Sequence, residues 1–251
     1  MEMYDKKLSL IEVLFVIICL ILIFLFHTNF ILTCILSLLA LIIFKNQLIN
    51  YKSDIKKEKN FLYAFILIYL VYIGIQLFNY GINTDNYTLN QLRLLFQLPL
   101  TMTILLGYLF KVRLSDFNWS ITFKSFLVVV FIFILLELVT IINSLTEVNT
   151  ISYYIKNFIQ KLYYPSIVEE VLFRGFFLSG LLAFEVREDK ANIIQFVIFG
   201  LTHMLGYNEI SVIIVLSTCI QTYIGFLFGK IYIQTKSLTP CILLHALIDT
   251  I

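Results

Sequence analysis

Long apolar runs separated by short polar stretches alternate along nearly the whole of this chain. A run of about 20 apolar residues is long enough to cross the hydrocarbon core of a bilayer as a helix. The runs predicted to be such helices lie near residues 8–27, 30–49, 61–80, 94–110, 121–143, 162–183, 192–206, 210–230 and 238–251. Because the second and seventh are short, eight crossings is the alternative to nine. The pattern predicts an all-α fold, a polytopic transmembrane helix bundle with eight or nine spans.

Composition supports a membrane protein and limits the classes of partner that we expect it to bind. Of the 251 residues, 60% are hydrophobic and 14% are charged, whereas a soluble domain has roughly half apolar and about a quarter charged residues. Membrane lipid is therefore an expected partner. The basic residues flank the predicted spans, so no separate basic face remains to bind nucleic acid. The four cysteines lie in apolar runs and form no CxxC pair, which disfavours a zinc site built on cysteines.

Lysine and arginine are distributed unevenly among the predicted loops, and this bias sets the orientation. With a cytoplasmic N-terminus, the basic segments that fall on the cytoplasmic side are residues 6–7, 45–59, 111–124, 187–190 and 230–236. The opposite loops hold Arg93, Lys156 and Lys161. The bias predicts nine spans in a cell membrane with the C-terminus outside. The frequent Ile, Asn and Lys are typical of an AT-rich bacterium, so a bacterial plasma membrane is the expected location.

Three groups of polar residues interrupt the apolar runs in the C-terminal part of the chain. They are Glu169-Glu170-Val-Leu-Phe-Arg174, Phe199-Gly-Leu-Thr-His203 and His245-Ala-Leu-Ile-Asp249. An ionisable side chain at membrane depth costs about 2.5 kcal/mol or more, so such groups persist where they pair or line a wet cavity. Two of the chain's three histidines fall in these groups. Together the groups indicate an intramembrane hydrolytic site.

The spacing within these groups predicts which side chains meet. Glu170 and Arg174 are four residues apart on a helix and are expected to pair. Glu169 points about 100° away from Glu170 and is left free for chemistry. His245 and Asp249 are also four residues apart, so the carboxylate can orient the imidazole. For both pairs, a purely structural ion pair or hydrogen bond is the alternative interpretation.

Two glutamates, two histidines and an aspartate suit the activation of water. A carboxylate can take a proton from water while an imidazole orients it, and the remaining groups stabilise the oxyanion. The same side chains suit zinc or another divalent metal, with His203, His245 and Glu169 as tentative ligands. The residues alone do not separate these two mechanisms. The chain lacks the HExxH, GxS and GxGD elements of other intramembrane proteases.

The order EExxxR, FxxxH and HxxxD over three successive hydrophobic segments resembles the CAAX prenyl protease and bacteriocin-processing (CPBP) family, also called the Abi family. The resemblance covers roughly residues 162–251. It implies two parts: N-terminal transmembrane helices at 1–160 that carry no recognised motif, and catalytic helices at 161–251.

The resemblance also implies a role for each group. The implied roles are water activation for Glu169 and His203, support of the site for Glu170 and Arg174, and the oxyanion hole for His245 and Asp249. Prenyl-protein enzymes usually have Asn at the last of these positions, whereas bacterial relatives have Asn or Asp. An ionised aspartate cannot donate to an oxyanion. Asp249 must therefore be protonated, act through His245, or bind metal.

These observations lead to one functional prediction and one alternative. The prediction is an intramembrane endopeptidase that cleaves a membrane-associated peptide or membrane-protein substrate, in peptide maturation or bacteriocin self-immunity. The charge bias places Glu169 and His203 toward the outer half of the membrane, which suits a secreted peptide. The alternative is a non-catalytic scaffold or immunity protein that keeps the motif residues as a structural polar core. A small transporter is disfavoured, because two similar halves are not visible in the sequence.

Overall fold

The structure is a computed structural model that describes residues 9–26, 30–49, 54–81, 107–144, 150–204 and 211–251. Within these residues the regular structure is helical and contains no β-strand, which confirms the predicted all-α class. The helices are α1 Leu10–Phe26, α2 Phe30–Ile43, α3 Lys45–Leu48, α4 Lys59–Gly81, α5 Phe123–Ser144, α6 Ile151–Lys161, α7 (which joins Ile167–Glu170, the π-helical Val171–Leu178 and Ser179–Ala183), α8 Glu188–Met204, α9 Val212–Thr235 and α10 Thr239–Thr250.

Most of the predicted spans coincide with these helices, but their number is not confirmed. Helices α5 and α9 are long and apolar enough to cross a membrane by length and composition. Shorter apolar stretches lie in other helices, at Leu10–Leu22, Ile31–Ile43, Lys59–Val71 and Thr239–Thr250. Most of the predicted span 94–110 lies outside the described residues. The total of eight or nine crossings therefore stays a prediction.

Helix α7 lies at the centre of the bundle and contacts α4, α8, α9 and α10. All eight residues of its π-helical stretch are buried, and π-helical turns occur frequently at functional sites. At Gly180, α7 approaches α4 so closely that an added Cβ would lie 2.6 Å from the backbone N of Leu62. A larger side chain at this position would push the glutamate-bearing helix away from its neighbour.

The structure differs from the predicted span 162–183 at its beginning. Tyr164 has extended backbone angles (φ −149°, ψ 128°), so the chain kinks there. The peptide bond between Tyr164 and Pro165 is cis. Residues before the kink, which the sequence placed in a loop, form the amphipathic helix α6. Helix α7 therefore starts after Pro165, and α6 precedes it as a separate element.

Three polar segments meet at one end of the bundle. Lys56 Nζ donates to Asp116 Oδ1 at 2.6 Å, and Asn118 Nδ2 donates to the Lys236 carbonyl at 3.0 Å. Burial raises the pKa of Asp116, but hydrogen bonds from Lys56 and from a backbone N–H outweigh it and hold this pKa below its usual value. The segments that meet here are among those that the charge bias assigns to one side of the membrane.

The candidate site lies toward the opposite end. Helix α10 begins beside the basic segments, where the N-cap residue Leu238 donates its backbone N–H to the loop before α5 at 3.0 Å. Asp249 lies at the far end of α10. Helix α7 runs in the reverse sense, since the ring of Phe184, just after its last turn, lies 5.2 Å from Lys59 Nζ. Glu169, in the first turn of α7, is therefore also far from the basic segments.

Candidate active site

Glu170, Arg174 and His245 form a buried network at the centre of the site. Arg174 Nη1 donates to Glu170 Oε1 at 3.0 Å, and His245 Nδ1 lies 2.9 Å from the same oxygen. Glu170 and Arg174 are fully buried, and His245 is 6% exposed. Two donors on one oxygen match an ionised Glu170, with the His245 proton on Nδ1. The spacing predicts Asp249 as the residue that orients His245, but Glu170 makes this hydrogen bond, because α7 packs against α10.

The guanidinium of Arg174 is enclosed by two aromatic rings and a backbone carbonyl. Its Cζ lies 4.6 Å from the ring centroid of Phe199 and 5.0 Å from that of Phe228. Nη2 donates to the Gly225 carbonyl at 3.1 Å. Ring faces attract a cation most strongly where water is excluded, and with the Glu170 bond they offset the desolvation of a buried charge. Arg174 is thus a fixed support of the site.

The missing side chain at Gly225 allows the Phe199 ring to pack closely against α9. An added Cβ at this position would lie 2.7 Å from Phe199 Cδ1. Phe228, one turn further along α9, also stacks on the His245 ring, with centroids 5.1 Å apart. The roles of Gly225 and Phe228 were missed in the sequence. The signal that could have indicated them is the pair Gly225 and Gly229, a small-xxx-small spacing that favours close packing of membrane helices.

Glu169, Asp249 and the Nε2 atom of His245 form the open edge of the site. His245 Nε2 lies 3.8 Å from Glu169 Oε2 and 3.8 Å from Asp249 Oδ2. Both distances are too long for a direct hydrogen bond. The Glu169 and Asp249 side chains are 25% and 27% exposed, and Glu169 Oε2 has no hydrogen-bond partner in the described part of the chain. The open edge can therefore accept a bridging water or a substrate atom.

His203, in the last turn of α8, shares an aromatic neighbour with His245. The ring centroid of Phe199 lies 4.8 Å from that of His203 and 6.4 Å from that of His245. His203 Nδ1 lies 2.8 Å from the Phe199 carbonyl oxygen. A carbonyl only accepts, so Nδ1 carries the hydrogen and Nε2 is the acceptor in the neutral ring. Because the Phe199 ring lies beside both histidines, the structure brings all three sequence groups to one part of the bundle.

The tentative metal ligands do not form a metal-binding group in this arrangement. Over the described ranges, no set of three or more His, Cys, Asp or Glu side chains is placed to hold an ion. His245 Nδ1 is bonded to Glu170, so the ring has Nε2, 3.8 Å from Glu169 Oε2, left to face an ion. The metal alternative, with His203, His245 and Glu169 as ligands, stays a prediction.

Comparison with known proteins finds a similarity in the C-terminal part of the chain. Residues 152–251 match the model of the Rce1-like family, type II CAAX prenyl endopeptidase Rce1-like. This is a membrane-embedded protease family, and the match agrees with the family that the three motifs resemble. The matched segment begins in α6 and includes all the candidate site residues. No curated protein and no solved structure matches the chain.

Proposed function

We propose that this chain, whose residues 152–251 carry the Rce1-like protease segment, is an intramembrane endopeptidase. It crosses a bacterial plasma membrane several times and cleaves a membrane-associated peptide or protein, in peptide maturation or bacteriocin self-immunity. The contrast between two adjacent glutamates carries the proposal. Glu170 is fully buried and its Oε1 is bonded to both Arg174 and His245, whereas the Glu169 side chain is 25% exposed and lies 3.8 Å from His245 Nε2, beyond hydrogen-bond distance.

In this proposal Glu169 is the general base. Its Oε2 takes a proton from water while the water oxygen attacks the carbonyl carbon of the scissile peptide bond. The Nδ1 atom of His203 donates to a backbone carbonyl, so its Nε2 is an acceptor. In this proposal Nε2 accepts a hydrogen bond from the second O–H of the water and so orients it. The tetrahedral intermediate then collapses, the C–N bond breaks, and the proton held by Glu169 passes to the leaving amine.

In this proposal His245 stabilises the oxyanion. Its Nδ1 is bonded to Glu170, so its Nε2 faces the open edge. Between the Glu170 and Asp249 carboxylates, the ring takes up a second proton on Nε2 and donates it as a hydrogen bond to the developing negative charge. Such fixed donors lower the barrier most where water is excluded. Asp249, 3.8 Å from the same nitrogen, acts on the ring and not on the oxyanion, since an ionised carboxylate only accepts hydrogen bonds.

A non-catalytic scaffold or immunity protein is the second candidate. The buried network favours it, because Glu170, Arg174 and His245 would hold α7 and α10 together with or without chemistry. The two candidates differ in what Glu169 does. A scaffold needs no proton acceptor at the open edge, whereas a protease loses its base when Glu169 is replaced.

Peptide cleavage in membranes distinguishes the two candidates. The chain and its Glu169→Gln variant are produced at matched levels in bacterial membranes, and new peptide termini are identified by mass spectrometry. We expect termini that arise with the natural chain and are missing with the variant. A farnesylated CAAX peptide and an unprenylated hydrophobic peptide, offered to both purified proteins in vesicles, test which substrate class is cleaved. Identical termini in both membranes, with neither peptide cleaved, would contradict a protease.

A further inference from the structure

Helix α6 packs one of its faces against α10. The half-buried residues on this face recur every third or fourth position, at Tyr154, Asn157, Phe158 and Lys161. Asn157 Nδ2 donates to the Thr250 carbonyl at 2.7 Å. This face of α6 is therefore fixed to the end of the helix that carries the open-edge aspartate.

The exposed surface of α6 divides into an apolar and a polar stripe. Ile151, Ile155 and Ile159, which form the apolar stripe, are 79%, 56% and 60% exposed. The next residue after each isoleucine lies about 100° further round the helix, and these residues are polar and exposed: Ser152, Lys156 and Gln160. A helix with an apolar face beside a polar face that carries Lys is typical of one lying in the plane of a membrane surface.

Helix α6 also lies at the level where a bilayer surface is expected. Helix α5 begins next to the basic segments, and its 22 residues rise about 33 Å. This length matches a hydrocarbon core of about 30 Å. The Tyr154 hydroxyl donates to the carbonyl of Ser144, the last residue of α5, at 3.4 Å. Helix α6 thus lies where α5 leaves the hydrocarbon, at the end of the bundle opposite the basic segments.

We propose that α6 lies in the membrane–water interface, with its apolar stripe among the lipid acyl chains and Lys156 among anionic headgroups. Tyr163 and Tyr164, 46% and 38% exposed just beyond the end of α6, suit the same depth, because aromatic rings with a polar tip concentrate at this interface. The lysine of the polar stripe complements the charge of anionic lipid. Lipid is therefore the occupant of this surface.

This position of α6 fixes the depth of Glu169. The chain kinks at Tyr164 and α7 begins at Ile167, with Glu169 in its first turn, which rises about 5 Å. The carboxylate therefore lies just inside the interface, where it can meet a peptide held at the membrane surface. The lipid contact itself holds whether or not the chain is a protease.

Quenching of a single tryptophan in vesicles tests the proposal. Trp119, the only Trp in the chain, is replaced by Phe, and a reporter is introduced by Ile155→Trp, Lys156→Trp, Ile159→Trp or Gln160→Trp. The full-length variants are reconstituted with lipids brominated in their acyl chains, or with acrylamide on both sides of the membrane. We expect bromolipid to quench the reporters at 155 and 159 several-fold more than those at 156 and 160, and acrylamide to show the reverse order.

Two outcomes would overturn the interfacial position. Strong acrylamide quenching at all four positions would place α6 in water. Quenching by neither agent at 155 and 159 would mean that protein, such as a second copy of the chain, covers the apolar stripe. Circular dichroism checks the helical fold of each variant. If the variant at 155 or at 159 does not fold, the reporter at the other position is sufficient to test the prediction.

The contact between Lys156 and anionic headgroups is tested separately, with brominated lipids of different headgroup charge. Brominated phosphatidylglycerol should quench the reporter at 155 more than brominated phosphatidylcholine does at the same mole fraction, and adding Lys156→Gln should remove the difference. Equal quenching by the two lipids before this substitution would overturn the assignment of Lys156 to anionic headgroups.

Discussion

In the buried network, Arg174 and His245 converge on one oxygen of Glu170, whereas at the open edge Glu169 and Asp249 each lie 3.8 Å from the His245 ring. A buried charge persists when its partners offset the loss of water. A partly exposed carboxylate without a direct partner is free to exchange protons, as an active-site base must. From this comparison we propose that neighbouring residues of one motif, Glu169 and Glu170, have separate tasks, the first chemical and the second structural.

Removing the cation of the buried network is expected to have the largest effect. Arg174→Ala leaves Glu170 as an uncompensated buried charge and destabilises the protein by about 3–5 kcal/mol. Both the abundance in membranes and any cleavage activity should fall, as measured by immunoblot and by thermal unfolding in detergent. Arg187→Ala is the matched control, because Arg187 pairs with Asp189 at the surface with its side chain 72% exposed. Equal unfolding temperatures for the two variants would contradict the structural task of the network.

Replacement of the water-orienting histidine should reduce activity with little change in stability. His203 is half-buried, and within the described ranges its Nδ1 is bonded to a local backbone carbonyl one turn away. We expect His203→Ala to lower the cleavage rate by about 10²-fold or more at nearly normal protein abundance. A cleavage assay normalised to folded protein measures this. Full activity in this variant would remove His203 from the open-edge chemistry.

A methyl group at Gly225 should disturb the network to an intermediate extent. In Gly225→Ala the new Cβ would lie 2.7 Å from Phe199 Cδ1, so the ring that covers Arg174 must move, and overpacking of this kind destabilises by about 1–3 kcal/mol. Gly74→Ala is the control, because nothing lies within 4 Å of an added Cβ at this helical position. We expect a lower unfolding temperature for the first variant and no loss for the second. No difference between them would show that the Phe199 ring adapts without strain.

Chelation is expected to have the smallest effect. Because His203, His245 and Glu169 are not assembled as a metal-binding group, cleavage by the purified protein should survive a chelator. Asp249→Asn should leave activity intact or raise it, since an amide can donate to the oxyanion and an ionised carboxylate cannot. Activity that is lost with the chelator and restored by added zinc would refute the metal-free base mechanism.

The sequence predicts best what depends on local spacing. Apolar run length gives the helices directly, and the i, i+4 rule gives the bond between Glu170 and Arg174. The bond between Glu170 and His245 depends on how α7 packs against α10, 75 residues apart in sequence, and no local pattern carries that information. The aromatic enclosure of Arg174 depends in the same way on the approach of α8 and α9.

Helix α6 illustrates a pattern that was present and missed. Its isoleucines at 151, 155 and 159 repeat every four residues, but polar residues between them shorten every apolar run below the length that indicates a span. A search for long apolar runs therefore classifies this segment as a loop. Its amphipathic spacing, and not its mean hydropathy, predicts a helix that lies along a surface.

Substituting each glutamate by glutamine is the most direct test of the division between the two tasks. Glu169→Gln and Glu170→Gln are nearly isosteric changes at adjacent positions, so both variants are assayed for cleavage rate and for unfolding temperature. We predict that Glu169→Gln lowers the cleavage rate by about 10²–10⁴-fold and leaves the unfolding temperature unchanged, whereas Glu170→Gln lowers the unfolding temperature, because it removes the negative charge shared by Arg174 and His245. Full activity in Glu169→Gln, or an equal loss of thermal stability in both variants, would contradict the account.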